Sequence, residues 1–139
     1  MTLTDACTLV ALVNKKDAHH DLCRNALQKV NLPLLTTWVC FAEAMHLALG
    51  NGGWLMQEQL WQYSLRGIVR IYAPSMEEER RMYALMRKYR DRPMDLGDAS
   101  LVVAAEVLNL QRIFTIDSDF YFYTLFDKSH FEVFPQIRP

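Results

Sequence analysis

The stretch Asp95-Leu-Gly-Asp-Ala-Ser-Leu-Val-Val-Ala-Ala-Glu-Val-Leu108, which leads through three residues into Arg112-Ile-Phe-Thr-Ile116 and then Asp117, decides the fold. Leu96 to Leu108 is an apolar run of helical length, and Arg112–Ile116 is a short strand. Asp95 stands as an N-cap with Asp98 three residues on, a spacing close to a capping box. Outward from this unit the same alternation recurs. A strand near Leu3 leads into a helix through Leu9, Leu12 and Val13, and a second helix is expected from about Ala18 to Val30. Pro33 breaks the pattern before the strand Leu34-Leu35-Thr36. Thr37 caps a helix carrying Val39, Ala42, Glu43, His46 and Leu49, and Asn51-Gly52-Gly53 ends it with residues that tolerate positive φ. Trp54 to Leu65 reads as a helix and Ile68–Tyr72 as a strand. Pro74-Ser75 opens a charged helix to about Arg90, Pro93 stops it, and a final strand lies near Phe131–Phe134.

Strands alternating with helices imply a mostly parallel sheet covered on both faces. The expectation is therefore an α/β fold, three layers α/β/α, with a central sheet of about five short strands. With 139 residues and no linker, repeat or low-complexity tract, the chain reads as one domain over residues 1–139. Its 51% hydrophobic content excludes disorder, and no run reaches the ~18 apolar residues of a membrane span. Cys7, Cys23 and Cys40 are too scattered for a disulfide framework or a zinc knuckle, so they read as reduced and mostly buried. With no secretory signal at the N-terminus, that points to the cytoplasm. The net charge of −1 gives no global attraction to nucleic acid, so any such binding rests on a local basic surface.

In open α/β sheets, ligand sites form outside the carboxyl ends of the strands. Asp5 and Asp117 each follow a strand, Asp98 lies in the first turn of a helix, and Glu43 sits on a helix among apolar neighbours. Each has a structural reading: Asp5 as an N-cap, Glu43 as an exposed helix residue, Asp98 as part of the capping pair with Asp95, and Asp117 with Asp119 as a turn. Together, with no Cys/His ligand set, such carboxylates suit a hard divalent cation.

These acids fall in four segments: Leu3-Thr-Asp-Ala-Cys-Thr-Leu-Val-Ala-Leu12, Thr36-Thr-Trp-Val-Cys-Phe-Ala-Glu-Ala44, Pro93-Met-Asp-Leu-Gly-Asp-Ala-Ser-Leu101 and Phe114-Thr-Ile-Asp-Ser-Asp-Phe120. In this order and in a chain of this length, they resemble the PIN-domain ribonucleases, and within them the toxins of VapBC toxin–antitoxin pairs. The resemblance implies that Asp5, Glu43, Asp98 and Asp117 are the catalytic acids, with Asp5, Asp98 and Asp117 holding the metal. It further implies Mg²⁺ or Mn²⁺ as cofactor, RNA as substrate, a cognate antitoxin as partner and a homodimer. Asp119 either joins as an outer-shell group or caps the next turn, and Thr115 either adds a hydroxyl hydrogen bond or is an ordinary strand residue. Cys7 and Thr8 stand where small Ser or Gly residues are frequent in the family, and Phe120-Tyr-Phe-Tyr123 is unusually aromatic.

The implied chemistry is hydrolysis of an RNA phosphodiester by metal-activated water, which leaves 5′-phosphate and 3′-hydroxyl ends. Carboxylates packed this closely repel one another without a cation, so at least one pKa should be raised. Between Arg66 and Arg92 stand eight of the 15 basic residues against four acids. Most read as a solvated helix with ion pairs such as Glu77–Arg81. Arg90 and Arg92, beside the acidic segment, are the RNA-binding candidates. The four histidines lack the spacing of a catalytic dyad or a zinc site. The alternative from another class is a catalytically inactive PIN-like module that binds RNA or protein.

Overall fold

The computed structural model describes residues 1–137. In chain order its elements are β1 (Thr2–Thr4), α1 (Ala6–Val13), α2 (His20–Leu27), β2 (Leu34–Thr37), α3 (Trp38–Leu65), β3 (Val69–Tyr72), α4 (Glu79–Lys88), α5 (Leu96–Leu108) and β4 (Arg112–Phe114). A 3₁₀ turn (Ser118–Tyr121), β5 (Thr124–Leu125), β6 (Ser129–His130) and β7 (Glu132–Phe134) complete it. Five strands form an all-parallel sheet in the order β3-β2-β1-β4-β7. Leu3 pairs with Leu35 on one side and Ile113 on the other.

From β1 the chain steps outward through β2 to β3, then returns across β1 to β4. Right-handed crossovers in opposite directions put α1–α3 on one face and α4–α5 on the other. Burial on both faces explains why β1 and β2 are buried at every position rather than alternating. Leu3, Leu34, Ile113 and Phe114 form the centre of the sheet, with Leu9, Phe41 and Leu101 among the fully buried helix side chains.

Local chemistry sets the helix starts. Asp5 Oδ1 accepts from the Thr8 N–H (3.1 Å), Thr37 Oγ1 from the Cys40 N–H (3.2 Å) and Asp95 Oδ1 from the Asp98 N–H (2.7 Å). All three helices begin at the carboxyl edge of the sheet, so their caps surround one region. Within α3, Gly53 has φ 67° and ψ −156°, a conformation closed to other residues, and the helix breaks there into the two expected pieces.

Two helices are shorter than the sequence pattern suggests. α2 spans His20–Leu27 rather than Ala18 to Val30, because Asp17 Oδ1 accepts from the His19 N–H (2.8 Å) and holds that segment as a turn. α4 starts at Glu79, not after Pro74. Glu78 accepts from the Tyr72 hydroxyl (2.6 Å) and the Ser75 N–H (3.0 Å), which ties the intervening residues to β3 as a turn. The antiparallel β5–β6 ribbon has no counterpart in the sequence reading. Its turn places Phe126 and Asp127 at φ 53° and 57°, an unusual choice of residues. Tertiary contacts hold it: Lys88 and Arg81 reach Asp127 (2.8 and 3.4 Å), and the Phe126 N–H donates to Glu106. Arg81 makes a bidentate pair with Glu106 of α5 (2.9 Å for each bond) rather than the expected pair with Glu77.

Candidate active site

At the carboxyl edge of the sheet, Asp5, Glu43, Asp95, Asp98 and Asp117 line one small cavity of about 40 Å³ together with Ala6, Cys7, Cys40 and Gly97. Asp5 enters from the end of β1, Glu43 from the second turn of α3, Asp98 from the first turn of α5 and Asp117 from just beyond β4. A larger cavity of about 830 Å³ lies between α1–α2 and the second half of α3, and Glu58 is the one carboxylate among its lining residues. The smaller cavity is the chemically capable one, because a concentration of carboxylates decides what a site can bind.

Asp5 is nearly inaccessible, at 6% exposure, and its oxygens are tightly held. Thr115 Oγ1 donates to Asp5 Oδ2 at 2.6 Å and accepts from the Asp117 N–H at 3.0 Å. One buried hydroxyl thus connects the acids that follow β1 and β4, and Thr115 is more than a strand filler. Asp117 Oδ1 accepts from the Asp119 N–H at 2.9 Å, so Asp117 is the residue that caps the 3₁₀ turn. The turn carries Asp119 back towards its neighbour, and carboxylate oxygens of Asp98, Asp117 and Asp119 lie within 4.8 Å of one another. Asp5 stands behind this trio through Thr115, and Glu43 lines the same cavity. Glycine at 97 keeps the space open: a Cβ there would lie 3.3 Å from Asp95 Oδ1, 3.4 Å from Cys40 Sγ and 3.5 Å from Glu43 Oε2.

Burying carboxylates is costly, and like charge beside them adds to the cost. Burial, followed by the charge of Asp95, raises Asp98 to about 8, although the Tyr123 hydroxyl donating to its Oδ2 (2.9 Å) opposes the shift. Burial also raises Asp5, against the hydrogen bonds from Thr115 and Thr8. Partial desolvation raises Glu43, with Asp95 and Asp5 adding to it. Asp117 is raised chiefly by burial, against the hydrogen bond from the Asp119 N–H. Burial pushes the Cys40 thiol up to about 12, and its Sγ donates to the Gly97 carbonyl (3.5 Å). Several oxygen donors, elevated pKa values and an open space match a hard divalent cation, whose charge would remove the repulsion. The donor set therefore fits such an ion.

The basic candidates differ. Arg92 donates to Asp119 Oδ1 (3.3 Å) and its guanidinium lies 4.3 Å from the centre of the half-exposed Phe122 ring, at the mouth of the cluster. Arg90, just beyond the end of α4, donates to the carbonyl of Arg87 in its last turn (2.8 Å) and bonds no acid among the described residues. His20, the one buried histidine, bonds the Ala11 carbonyl through Nδ1 (2.7 Å). Tyr123 has no precedent in the sequence reading beyond its place in an aromatic run, because its contact with Asp98 crosses 25 residues. The Asp-x-Asp spacing over a tight turn was the available signal for Asp119.

A parallel sheet with a pocket of carboxylates at its carboxyl edge defines a class of α/β proteins built to hold a divalent cation beside a ligand. Within that class the chain belongs to the PIN domain family, whose sequence model matches residues 2–124. In fold it is similar to VapC20 of Mycobacterium tuberculosis, a toxin that cleaves the sarcin–ricin loop. That likeness has a TM-score of 0.79 at 17% identity and covers 86% of this chain and 92% of the other. It is also similar to a chain of a toxin–antitoxin complex from Klebsiella pneumoniae, with a TM-score of 0.64 at 21% identity over 85% and 88% of the two chains. No curated protein matches it in sequence. Among the described residues, no helix is long and apolar enough to cross a membrane.

Proposed function

We propose that this PIN domain, spanning residues 1–139 with Arg138 and Pro139 outside the described residues, is a Mg²⁺- or Mn²⁺-dependent endoribonuclease and the toxin of a type II toxin–antitoxin pair. The observation that carries the reading is the convergence of Asp5, Glu43, Asp98 and Asp117, from four separate elements, on one cavity with raised carboxyl pKa values. A purely structural role gives no return for that repulsion. The toxin assignment draws on the likeness to the sarcin–ricin-cleaving toxin and to the toxin–antitoxin complex. A cognate antitoxin is accordingly the protein partner, and the cytoplasm is the expected location.

When bound, the cation supplies a Lewis acid that lowers the pKa of an attacking water and offsets charge on the scissile phosphate. Asp98 and Asp117 would hold it most directly, with Asp5 behind them as the third acid of the set and Thr115 fixing its orientation. Asp119, whose carboxylate lies within 4.8 Å of those of Asp98 and Asp117, is shared with Arg92. Glu43, which lines the same cavity, would orient the attacking water and accept its proton. Arg92 is the better of the two RNA contacts, since a phosphate at the cluster mouth can take over the guanidinium from Asp119. Trp54 and Leu55 of α3 are 60% and 73% exposed, adjacent apolar side chains suited to a homodimer interface.

Cleavage of a mixed RNA pool by the purified protein with Mg²⁺, Mn²⁺ or EDTA, beside Asp98→Asn, tests the reading. Metal-dependent cleavage lost in the variant is the expected result. Cleavage that persists in Asp98→Asn would overturn the site. A protein that binds RNA but neither cleaves it nor binds metal would be the inactive binding module instead.

A further inference from the structure

We infer that Tyr123 is a positioning residue that fixes the Asp98 carboxylate for the divalent cation, an inference that rests on the nuclease reading above. Tyr123 is fully buried, and its hydroxyl donates to Asp98 Oδ2 at 2.9 Å, its one partner among the described residues. A buried Tyr hydroxyl needs a partner, and most positions in a core would offer a carbonyl. Here the partner is an acid whose carboxylate lies within 4.8 Å of those of Asp117 and Asp119.

The ring itself has little freedom. Tyr89 meets it edge-on at 5.0 Å between ring centres, and Phe120 at 5.3 Å with the planes at 90°. Phe120 is in turn packed at right angles on Phe131, 5.5 Å away. The aromatic run after Asp119 is thus a rigid mount that carries one hydroxyl to one carboxylate. From the other side, Asp95 Oδ1 accepts from the Asp98 N–H at 2.7 Å, so both the backbone and the side chain of Asp98 are held. The Tyr123 bond takes one lone pair of Oδ2 and leaves the carboxylate's remaining lone pairs for an ion. Partners of this kind, which act on a ligand and not on the metal, set ligand orientation and affinity.

Tyr89 provides the internal comparison. It is buried in the same aromatic group, but its hydroxyl accepts from the Thr124 N–H (3.1 Å) and lies 3.3 Å from Thr124 Oγ1. A variant at Tyr89 perturbs the mount while leaving the bond to Asp98 intact.

The test is a Mn²⁺ titration followed by electron paramagnetic resonance for wild type, Tyr123→Phe and Tyr89→Phe, with melting temperatures measured alongside. Tyr123→Phe should weaken Mn²⁺ binding by about tenfold or more. Tyr89→Phe should lower the melting temperature without that loss. Equal Mn²⁺ affinity in wild type and Tyr123→Phe would overturn the inference while leaving the nuclease reading standing. Wild type that binds no Mn²⁺ would overturn both. If Tyr123→Phe does not fold, 3-fluorotyrosine at position 123 keeps the hydroxyl and reports by fluorine NMR. Its resonance should move on addition of Mg²⁺ while that of 3-fluorotyrosine at the exposed position 83 stays still; a silent position 123 overturns the inference.

Discussion

Replacing Thr115 by Val removes one oxygen atom and keeps the shape of the side chain, which makes it a sharp probe of how the acids are held. Thr115 is fully buried and its hydroxyl donates to Asp5 at 2.6 Å while accepting from the Asp117 N–H at 3.0 Å. A hydrogen bond to a charged group contributes about 1.5–3 kcal/mol, and a partner left buried without one bears the desolvation cost. The Asp5 bond alone therefore predicts a loss of about 2 kcal/mol, a drop in melting temperature on the order of 5–10 °C for a chain of this size. The bond is stronger to the carboxylate than to the neutral acid, so the loss should grow as pH rises through the elevated pKa of Asp5. Urea unfolding in EDTA at several pH values measures it, with Thr115→Ser as the variant that keeps the hydroxyl. A Thr115→Val penalty under about 0.5 kcal/mol, within the range of ordinary surface substitutions, would refute the reasoning. So would a penalty independent of pH or matched in full by Thr115→Ser.

Two other outcomes follow from the same geometry. With Asp98 at about 8 in the fold against 3.8 for the free side chain, the folded protein binds more protons than the unfolded chain across that interval. Metal-free stability should therefore fall as pH rises from near 3.8 to about 8, a slope that Asp98→Asn flattens and Mg²⁺ offsets most at the alkaline end. Scanning calorimetry with and without Mg²⁺ reads this, and a slope unchanged by Asp98→Asn would remove Asp98 as its source. Gly97→Ala should gain up to about 1 kcal/mol in helix propensity. It also introduces a methyl 3.3–3.5 Å from Asp95, Cys40 and Glu43 in the cavity. Weaker Mn²⁺ binding at near wild-type stability is expected by calorimetric titration, and undiminished affinity would show that the ion sits elsewhere.

The antiparallel turn after the 3₁₀ segment illustrates where local reading stops. Phe126 and Asp127 have no intrinsic preference for positive φ as a pair, and what holds them there is Glu106, Arg81 and Lys88 from two helices. Likewise Arg81 has a suitable partner four residues away in Glu77 and instead pairs with Glu106, because the α4–α5 packing offers a bidentate, half-buried acceptor. Among the acids, Asp119 reads in sequence as a cap of the next turn before it reads as an outer-shell group. The backbone N–H of Asp119 bonds Asp117, which leaves the Asp119 side chain free to meet Asp98 and Arg92.

By itself the sequence determined the five strands of the main sheet and three helix starts: α5 from Leu96 to Leu108, the caps at Asp5, Thr37 and Asp95, and the break at Gly53. These follow from hydrophobic period, capping chemistry and backbone freedom, all of which act within a few residues. It also determined that Asp5, Asp98 and Asp117 stand at element ends, and hence at the edge of whatever sheet those elements build. Only the tertiary structure decided which carboxylates come within reach of one ion, that Thr115 ties Asp5 to Asp117, and that Tyr123 is aimed at Asp98. Those contacts join residues from 2 to 110 positions apart. The longer ones depend on strand order and helix packing, quantities that no local pattern encodes.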